Sequence, residues 1–455
     1  MTAFGNVLES IGNTPMVEVK RLDTGKCSLF LKLENQNPGG SIKDRIALSM
    51  VEAAERDGSL KPGGTLIEAT AGNTGLGLAL VASQKGYRLI LVIPDKMAQE
   101  KIFNLRALGA EVRVTRSDVG KGHPEYYQDM AERLTGETPG AIYVNQFGNP
   151  ANPLAHEAST GPEIWQQMDH QVDAIVCGVG SGGTLTGLGR FFRRLSPTTK
   201  MVLADPKGSV LTEMVKSGNM TEAGSWMVEG IGEDFVPPNC DLSLVSEAFT
   251  VTDAESFATA RELLRKEGIL AGSSSGTLIT AALHYCRAQK TPKRVVSFVC
   301  DSGNKYLSKM FNDYWMLDQG FIEREKRGDL GDLVSRRHAD KATVTANPDD
   351  TLLAAYARMK LYDISQIPVI DGGKVIGILD ESDILMKVYG HEGKFRDKVR
   401  DAMTKKLDIV GAKAPLADLL PIFELDHVAI VQDGDQFLGL ITRIDLLNHL
   451  RRRMK

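Results

Sequence analysis

Lys43 is the side chain in this sequence with the clearest capacity for covalent chemistry. It follows Gly39 and Gly40 and opens an apolar-periodic run, which predicts a lysine in the first turn of a helix, beside a backbone that a ligand can approach closely. The positive end of a helix dipole disfavours the charged amine, and attack on an aldehyde requires the neutral amine. The ordinary alternative is a solvated lysine at a helix start, so a catalytic role for Lys43 must be supported by other motifs.

Two glycine-rich segments further along each follow a strand-like apolar run. Residues 70–75 (Thr-Ala-Gly-Asn-Thr-Gly) combine glycines, hydroxyls and an amide at a strand-to-helix turn, a nest of N–H donors suited to a carboxylate. Residues 178–184 (Gly-Val-Gly-Ser-Gly-Gly-Thr) let the backbone close on a phosphate, helped by the dipole of a helix starting near Thr184. An amine, a carboxylate site and a phosphate site are together what pyridoxal phosphate chemistry on an amino acid requires.

The phosphate-binding segment also fits a competing pattern. Gly178, Gly180 and Gly183 match G-x-G-x-x-G, and Asp205 closes the next strand where a ribose-binding acid of a dinucleotide fold would stand. A nicotinamide dehydrogenase is therefore an alternative. It leaves Lys43 and Asn73 without a role, and no acid for hydride transfer is visible, so we rank it well behind the pyridoxal phosphate hypothesis.

A serine-rich segment completes the pyridoxal phosphate set. Residues 272–276 (Gly-Ser-Ser-Ser-Gly) offer a hydroxyl to the pyridine nitrogen of such a cofactor. A hydroxyl, unlike a carboxylate, does not keep that nitrogen protonated, so the ring is a weaker electron sink. The reaction then favours loss of a β-substituent.

The elements that position these residues alternate between strand and helix. From about residue 28 to 320, short apolar runs look like buried strands, and amphipathic stretches lie between them, as in an α/β fold with a parallel sheet. One helix has clear boundaries: Thr252 and Glu255 form a capping box and Gly268 ends it. Ligands should gather where strands end and helices begin.

The character of the chain changes near Phe321. Residues 321–332 are highly charged, as expected of a linker, and an internal repeat follows. Residues 366–383 and 427–445 each read as a hairpin with an Asp-Gly turn, whose second strand runs into a helix. We expect a catalytic domain at 1–320, a linker at 321–332 and two similar units at 333–391 and 392–455.

Composition excludes several classes of function. A net charge of −4 gives no electrostatic reason to bind nucleic acid or an anionic membrane. Five scattered cysteines without a CxxC pair indicate neither a disulfide framework nor a metal site. With no evident signal peptide or long apolar run, we expect a cytoplasmic protein.

In these motifs the residues from about 5 to 318 resemble the fold-type II pyridoxal phosphate enzymes of the cysteine synthase and cystathionine β-synthase family. Residues 11–15, 38–45, 72–75, 180–184 and 229–232 match that family in order. The repeat at about 333–450 resembles its paired regulatory CBS domains. The resemblance thus covers nearly the whole chain and implies pyridoxal 5'-phosphate as cofactor.

The resemblance also implies roles for individual residues. Lys43 would form a Schiff base with the cofactor and remove the substrate α-proton, Asn73 would hydrogen-bond the ring hydroxyl oxygen, and Ser274 would face the pyridine nitrogen. The phosphate would be bound by Gly180, Ser181, Gly182, Gly183 and Thr184. The substrate would be bound by Thr70, Ala71, Gly72, Thr74, Gln146 and Gly230.

Some positions depart from the family pattern. Ala71 stands where many relatives carry serine, and Phe147 and Glu233 stand where animal and yeast members have tyrosine. These differences leave the first substrate, serine or O-acetylserine, and the thiol specificity open. Animal members carry a haem-binding extension before the catalytic domain. Because Leu8 of this sequence already lies in the catalytic domain, we expect no haem.

In CBS pairs the pattern G-h-h-[TS]-x-x-D binds the ribose of adenosine ligands. Residues 439–445 fit it through Thr442 and Asp445, whereas the first copy has Asp380 at the hydroxyl position and retains Asp383. The resemblance implies an adenosine-type effector, with S-adenosylmethionine as the first candidate. A repeat that only dimerises is the alternative.

The function implied is β-replacement, in which serine or O-acetylserine is condensed with homocysteine to form cystathionine, with hydrogen sulfide production from cysteine as a further expectation. The nearest alternative is a cysteine synthase with the same CBS pair. A third hypothesis is a nucleotide sensor without catalytic activity. We expect small amino-acid substrates and a homodimer or homotetramer.

Overall fold

The computed structural model describes residues 3–70, 72–95, 99–120, 122–325 and 327–453. The chain divides into two compact units, residues 1–311 and 312–455. Within the described residues, no helix is both long and apolar enough to pass through a bilayer.

The first unit is an α/β structure whose described strands form two sheets. Its strands are β1 (Met16–Glu18), β2 (Ser28–Leu33), β3 (Thr65–Ala69), β4 (Arg88–Pro94), β5 (Glu111–Thr115), β6 (Ala141–Tyr143), β7 (Ala174–Cys177), β8 (Lys200–Pro206), β9 (Val245–Val251) and β10 (Arg294–Val299). The larger sheet has the order β1-β2-β10-β7-β8-β9, and the smaller one β5-β4-β3-β6. Every neighbouring pair is parallel except β1 with β2. The predicted parallel α/β fold is confirmed.

Helices connect these strands. They are α1 (Lys43–Asp57), α2 (Asn73–Lys85), α3 (Gln99–Ala107), α4 (Tyr127–Glu137), α5 (Ala151–Ala155), α6 (Gly161–Gln167), α7 (Gly183–Leu195), α8 (Leu211–Ser217), α9 (Asp253–Glu267) and α10 (Ser273–Ala288). A π-helical turn at His156–Thr160 joins α5 to α6. The predicted capping box of Thr252 and Glu255 begins α9, and Gly268 ends it in the left-handed conformation.

The central strands β3 and β7 are apolar and buried along their whole length, as expected of parallel sheets packed between helices. In the smaller sheet, Leu66 and Leu91 are fully buried and pack with Leu78 of α2 and Met50 of α1. In the larger sheet, Leu29, Leu31, Val295 and Val296 are equally buried. The strands thus form rigid frames, and the loops at their carboxyl ends carry the polar residues.

A buried ion-pair network fixes α1 to the larger sheet. Arg45 of α1 donates to Glu34 Oε2 at 2.8 Å and to Glu163 of α6 at 2.7 Å. Lys32 of β2 donates to the same Glu163 at 2.7 Å. Burial alone would raise the pKa of Glu163, but the Arg45 and Lys32 cations hold it at about 2. The helix that begins with Lys43 is therefore held at its first turn.

The second unit contains two copies of one motif. Its helices are α11 (Asp313–Gln319), α12 (Leu352–Tyr362), α13 (Glu381–Val388), α14 (Leu420–Glu424) and α15 (Arg443–Arg453), and its strands are β11 (Gln366–Asp371), β12 (Lys374–Asp380), β13 (Ile409–Gly411), β14 (Ala429–Asp433) and β15 (Gln436–Ile441). The pairs β11–β12 and β14–β15 are the two predicted hairpins. Each is followed by a helix, α13 or α15, so the predicted repeat is confirmed.

Candidate active site

Lys43 is the first residue of α1, as the glycines before it predict. The backbone N–H of Ile42 donates to the Cys300 carbonyl at 2.8 Å, which fixes the start of the helix to the end of β10. Within the described part of the chain, Lys43 Nζ makes no hydrogen bond or ion pair. Burial lowers the pKa of Lys43, although Cys300, Asp301 and Glu233 act in the opposite direction. The site thus holds a partly buried amine that loses its proton more readily than an exposed lysine.

Asn73 begins α2 and lies in a network with the end of β10. Its Nδ2 donates to Asp301 Oδ2 at 2.8 Å, and Lys305 Nζ donates to its Oδ1 at 2.7 Å. Tyr306 also donates to Asp301 Oδ2, at 2.8 Å, and Lys305 reaches the Gly39 carbonyl at 3.4 Å. The Asn73 amide and the loop that precedes Lys43 are consequently oriented by the same residues.

The carboxylate loop lies between β3 and α2. Thr74 Oγ1 donates to Gln146 Oε1 at 2.7 Å, and the Gly72 N–H donates to Thr70 Oγ1 at 3.4 Å. Gln146 comes from the segment after β6, so the sheet order brings it beside the neighbouring strand β3. Ala71, predicted to bind substrate, lies outside the described residues.

The phosphate loop runs from β7 into α7. Gly182 adopts a φ of +83°, and α7 begins at Gly183. A Cβ on Gly180 would lie 2.5 Å from the Gly230 carbonyl oxygen, and one on Gly183 only 1.8 Å from Asn152 Oδ1. Backbone contact therefore requires glycine at position 180, whereas a side chain at position 183 would force the Asn152 side chain to move.

Two side chains brace this loop. Asn152 Nδ2 donates to Ser181 Oγ at 2.9 Å and to the Gln146 carbonyl at 2.7 Å, so one amide joins the phosphate loop to the carboxylate loop. Thr184 Oγ1 lies 3.2 Å from Nε2 of His156, which stands on the π-helical turn. Burial, helped by the Arg45 and Lys43 charges, lowers the pKa of His156 far enough to keep the ring neutral.

Ser274 lies in the first turn of α10 and is 5% exposed. Burial raises the pKa of the nearby Cys300 thiol to about 12, although Ser274 acts in the opposite direction, so Cys300 is not a thiolate. A Cβ on Gly272 would lie 1.9 Å from Asp301 Oδ1, which shows how closely α10 approaches the end of β10.

The segment around Gly230 covers the phosphate loop. Gly230 and Gly232 have φ values of +85° and +86°, and the Gly232 N–H donates to the Val179 carbonyl at 2.8 Å. Glu229 pairs with Lys101 and, at 2.7 Å, with Lys309. Burial tends to raise the pKa of Glu229, but these two ammonium groups keep it below its usual value.

Asp205, the ribose-binding candidate of the dehydrogenase hypothesis, is engaged within the fold. It is buried at the end of β8, and its Oδ2 accepts from the Thr212 N–H of α8 at 2.8 Å. Asp205 therefore caps a helix.

Several polar residues of the site were not predicted from the sequence. Asn152, Asp301 and Lys305 fall outside the glycine-rich motifs and reach the site from helices or loops distant in sequence. Asp301 had a usable signal, because residues 301–303 (Asp-Ser-Gly) follow the predicted strand at its carboxyl end. Asn152 and Lys305 had none.

The site has the donors that pyridoxal phosphate needs. In the described residues, the backbone N–H groups of 180–184 have no hydrogen-bond partner, and they stand at the positive end of α7. The free Lys43 amine, the oriented Asn73 amide and the buried Ser274 hydroxyl supply groups for an aldehyde, a ring oxygen and a pyridine nitrogen. The residues present fit this cofactor.

Comparison with known proteins agrees with the geometry. The family described as "Pyridoxal-phosphate dependent enzyme" matches residues 7–301, and the CBS domain matches residues 332–390 and 399–452. The rat cystathionine β-synthase is 38% identical over 98% of this chain and 86% of its own length. The yeast enzyme of the same name is 34% identical over 98% of this chain and 97% of its own. The chain belongs to the cystathionine β-synthase family of pyridoxal-phosphate dependent enzymes. The dehydrogenase hypothesis is wrong.

Solved structures give the same fold for the first unit. A hydrogen sulfide-producing enzyme from Fusobacterium nucleatum has 36% identity and a TM-score of 0.63, covering 67% of this chain and 100% of that one. O-ureido-L-serine synthase has 33% identity and a TM-score of 0.64, covering 72% of this chain and 99% of that one. As in the cystathionine β-synthase family at large, the cofactor of this chain is pyridoxal phosphate.

The predicted regulatory residues lie at the two hairpin-to-helix junctions. Thr442 Oγ1 donates to Asp445 Oδ2 at 2.6 Å, and Ser335 donates to the other oxygen of Asp445. At the first junction, Asp380 and Asp383 form a capping box. Thr442 and Asp445 are thus already oriented together, whereas the first junction presents two carboxylates.

Proposed function

We propose that the first unit condenses serine with homocysteine to form cystathionine, through the residues described above. The observation that carries this assignment is that the Lys43 amine and the N–H groups of residues 180–184 have no partner among the described residues, in a chain related over 98% of its length to cystathionine β-synthases. Pyridoxal phosphate, when bound, supplies an electron sink for negative charge developing at the substrate α-carbon.

Lys43 is assigned as the proton carrier. Because burial lowers its pKa, a larger neutral fraction is available at neutral pH to accept the α-proton. Departure of the β-hydroxyl of serine requires an acid, and the ammonium group that results at Lys43 Nζ is the donor. One residue then serves as base and acid in succession.

The remaining residues bind and orient. Lys43 would hold the cofactor covalently, with Asn73 at its ring oxygen and Ser274 at its pyridine nitrogen. The phosphate would be bound by Gly180, Ser181, Gly182, Gly183 and Thr184. The substrate carboxylate and its surroundings would be bound by Thr70, Ala71, Gly72, Thr74, Gln146 and Gly230.

The test measures product formation from different pairs of first and second substrates. Purified protein should form cystathionine from serine and homocysteine, and serine should be compared with O-acetylserine because that choice is still open. Lys43→Ala should lower the rate about 10²–10⁴-fold, the usual loss for a general base, and change the visible absorbance of the bound cofactor. Lys61→Ala, an exposed lysine, is the matched control. Full activity in Lys43→Ala would refute the assignment.

Hydrogen sulfide production from cysteine is a second activity of this site. It is supported by the similarity to a solved structure described as a hydrogen sulfide-producing enzyme. A cysteine synthase acting on O-acetylserine and sulfide is not favoured, since the full-length relatives are named cystathionine β-synthases. Sulfide release from cysteine with and without homocysteine measures the second activity directly.

For the second unit we propose binding of an adenosine-type effector, with S-adenosylmethionine the first candidate. It is supported by the CBS match and by the paired Thr442 and Asp445. The junction of the first repeat, where Asp383 forms a capping box with the second carboxylate Asp380, is the weaker candidate site. Calorimetric titration with S-adenosylmethionine and adenine nucleotides tests this, and absence of heat with all of them would contradict it.

The wider organisation is part of the same proposal. We propose domain boundaries at 1–320, 333–391 and 392–455 around a linker at 321–332, a homodimer or homotetramer, and a cytoplasmic location. The protein should carry no haem, so a Soret band that survives removal of pyridoxal phosphate would contradict the proposal.

A further inference from the structure

His156 and Thr160 are two buried polar side chains that the proposed reaction does not yet use. His156 is 1% exposed, and Thr160 has no exposed surface. Both lie on the π-helical turn that follows α5, where the Gly161 N–H donates to the His156 carbonyl. Such wide turns are rare insertions in helices and are frequent at functional sites. A buried imidazole needs hydrogen-bond partners, and those partners indicate what the ring can do.

The two ring nitrogens of His156 each contact one hydroxyl group. Nδ1 lies 3.0 Å from Thr160 Oγ1 on the same turn, and Nε2 lies 3.2 Å from Oγ1 of Thr184 in the phosphate loop. Among the described residues, neither hydroxyl makes another side-chain hydrogen bond. The ring therefore links a buried threonine to a threonine that we assign to the cofactor phosphate.

Close packing of α7 fixes the ring relative to Thr184. A Cβ on Gly187, three residues after Thr184, would lie 2.8 Å from His156 Cβ and 2.2 Å from the Pro153 carbonyl oxygen. The backbone of α7 is thus in direct contact with α5 and the π-helical turn. His156 Nε2 and Thr184 Oγ1 cannot separate unless these helices move apart.

The direction of the two hydrogen bonds depends on the tautomer of the ring. The His156 ring is neutral and has one N–H, so it can donate to only one of the two hydroxyls. If Nδ1 carried the proton, Nε2 would accept the hydroxyl proton of Thr184. If Nε2 carries it, Thr184 Oγ1 accepts from the ring and its own proton is available for a ligand. Since phosphate oxygens only accept, the second arrangement suits a phosphate site.

We propose that His156 is a positioning residue that directs the Thr184 hydroxyl proton towards the cofactor phosphate. Thr160 Oγ1 donates to Nδ1, which places the ring proton on Nε2, and Nε2–H donates to Thr184 Oγ1. The three groups form a chain of hydrogen bonds with one direction. This inference rests on the proposed function, because it requires the phosphate at Thr184, and it adds Thr160 and His156 as residues that act through Thr184.

The first test measures cofactor affinity without the Thr160 hydroxyl. Thr160→Val keeps the shape of the side chain but cannot donate to Nδ1. The dissociation constant for pyridoxal phosphate, from absorbance titration of the stripped protein, should rise about 2- to 10-fold, the loss expected for one neutral hydrogen bond. Thr160→Ser should keep the wild-type value. Thr135→Val is the matched control, because it removes a threonine hydroxyl that donates to the Ala131 carbonyl within α4.

Pyridoxal, which has the same ring and aldehyde but no phosphate, separates this role from a structural one. Loss of packing in Thr160→Val would weaken the binding of both ligands, whereas loss of the Thr184 donor weakens only the binding of pyridoxal phosphate. The ratio of the two dissociation constants should therefore change about 2- to 10-fold in Thr160→Val and stay at the wild-type value in Thr160→Ser. An unchanged ratio in Thr160→Val would overturn the inference.

The tautomer itself gives a second readout. Nitrogen-15 spectra of the histidine-labelled holoenzyme distinguish a protonated ring nitrogen from an unprotonated one, and the signals that disappear in His156→Gln belong to His156. We expect a proton on Nε2 and none on Nδ1. A proton on Nδ1 would overturn the inference whatever the affinities are.

Thr184 variants separate this inference from the proposed function. Thr184→Val should weaken the binding of pyridoxal phosphate about 10- to 100-fold, as for one charge-assisted hydrogen bond. Adding Thr160→Val should cause no further loss, because both changes act through the same hydroxyl. If Thr184→Val binds the cofactor as wild type does, the phosphate assignment of Thr184 and this inference both fall. If Thr184→Val weakens binding and the two effects add, only this inference falls.

Discussion

Burial changes the pKa of several side chains around the site, and Glu68 is one of them. It lies on β3 with no exposed surface, and its Oε2 accepts from the Gln146 N–H at 3.3 Å. Its other oxygen has no partner among the described residues. Burial raises the pKa of Glu68 to about 8, so the carboxyl is mostly protonated at neutral pH. It supports the Gln146 loop as a neutral group.

A raised folded-state pKa predicts a stability that falls as pH rises. Unfolded Glu68 ionises near its ordinary pKa, whereas the folded protein must ionise a buried carboxyl near pH 8. Between pH 6 and 9 the free energy of unfolding should therefore lose ~2 kcal/mol that Glu68→Gln does not lose.

Urea unfolding of wild type and Glu68→Gln across this pH range measures the difference. Glu137→Gln should follow the wild-type curve. Parallel curves for wild type and Glu68→Gln would show that Glu68 is already ionised at pH 6.

At the scale of elements, the site consists of helix starts placed after parallel strands. Lys43, Asn73 and Gly183 each begin a helix, and glycine-rich turns before them made these positions predictable from the sequence. Glu68 was not predictable as an ionisable support, because a glutamate in an apolar strand carries no sign of its burial. The role of Asn152 could not be predicted for another reason, since its contacts depend on how α5 packs against α7.

Asn152 makes the packing of α5 against the phosphate loop testable. Gly183→Ala would place a Cβ 1.8 Å from Asn152 Oδ1, so Asn152 must move and release Ser181 and the Gln146 carbonyl. The affinity for pyridoxal phosphate should fall by at least about 10-fold, as for the loss of one strong hydrogen bond.

Absorbance titration of the stripped protein with the cofactor gives the affinity. Gly136→Ala is the control, because a Cβ there meets no atom within 4 Å and alanine is the better helix former. An unchanged dissociation constant in Gly183→Ala would show that the helices move apart without affecting the loop.

At the scale of the whole molecule, each unit has its own core. In the second unit, Val431 and Ile441 belong to one buried cluster and Val369 and Leu379 to another, one for each repeat. The repeat was readable from the sequence because both copies keep the Asp-Gly turn. The buried network of Arg45, Glu34 and Glu163 was not, because its members come from separate parts of the first unit.

Separate cores predict separate responses to ligands. In calorimetry of the full chain, removing pyridoxal phosphate should lower the midpoint temperature of one unfolding transition by several degrees, because the ligand binds only the folded first unit. S-adenosylmethionine should raise a different transition. A single transition that moves with both ligands would contradict this independence.

The parallel pairing of β2 with β10 has a consequence for how the protein is made. Ser28–Leu33 pairs with Arg294–Val299, about 260 residues further along, and the Ile42 N–H meets the Cys300 carbonyl beyond it. On a ribosome adding 5–20 residues per second, the apolar β2 therefore waits roughly 10–50 s for this partner. Until then the nascent chain exposes an open strand edge, and the catalytic pocket closes only when the first unit is almost fully translated.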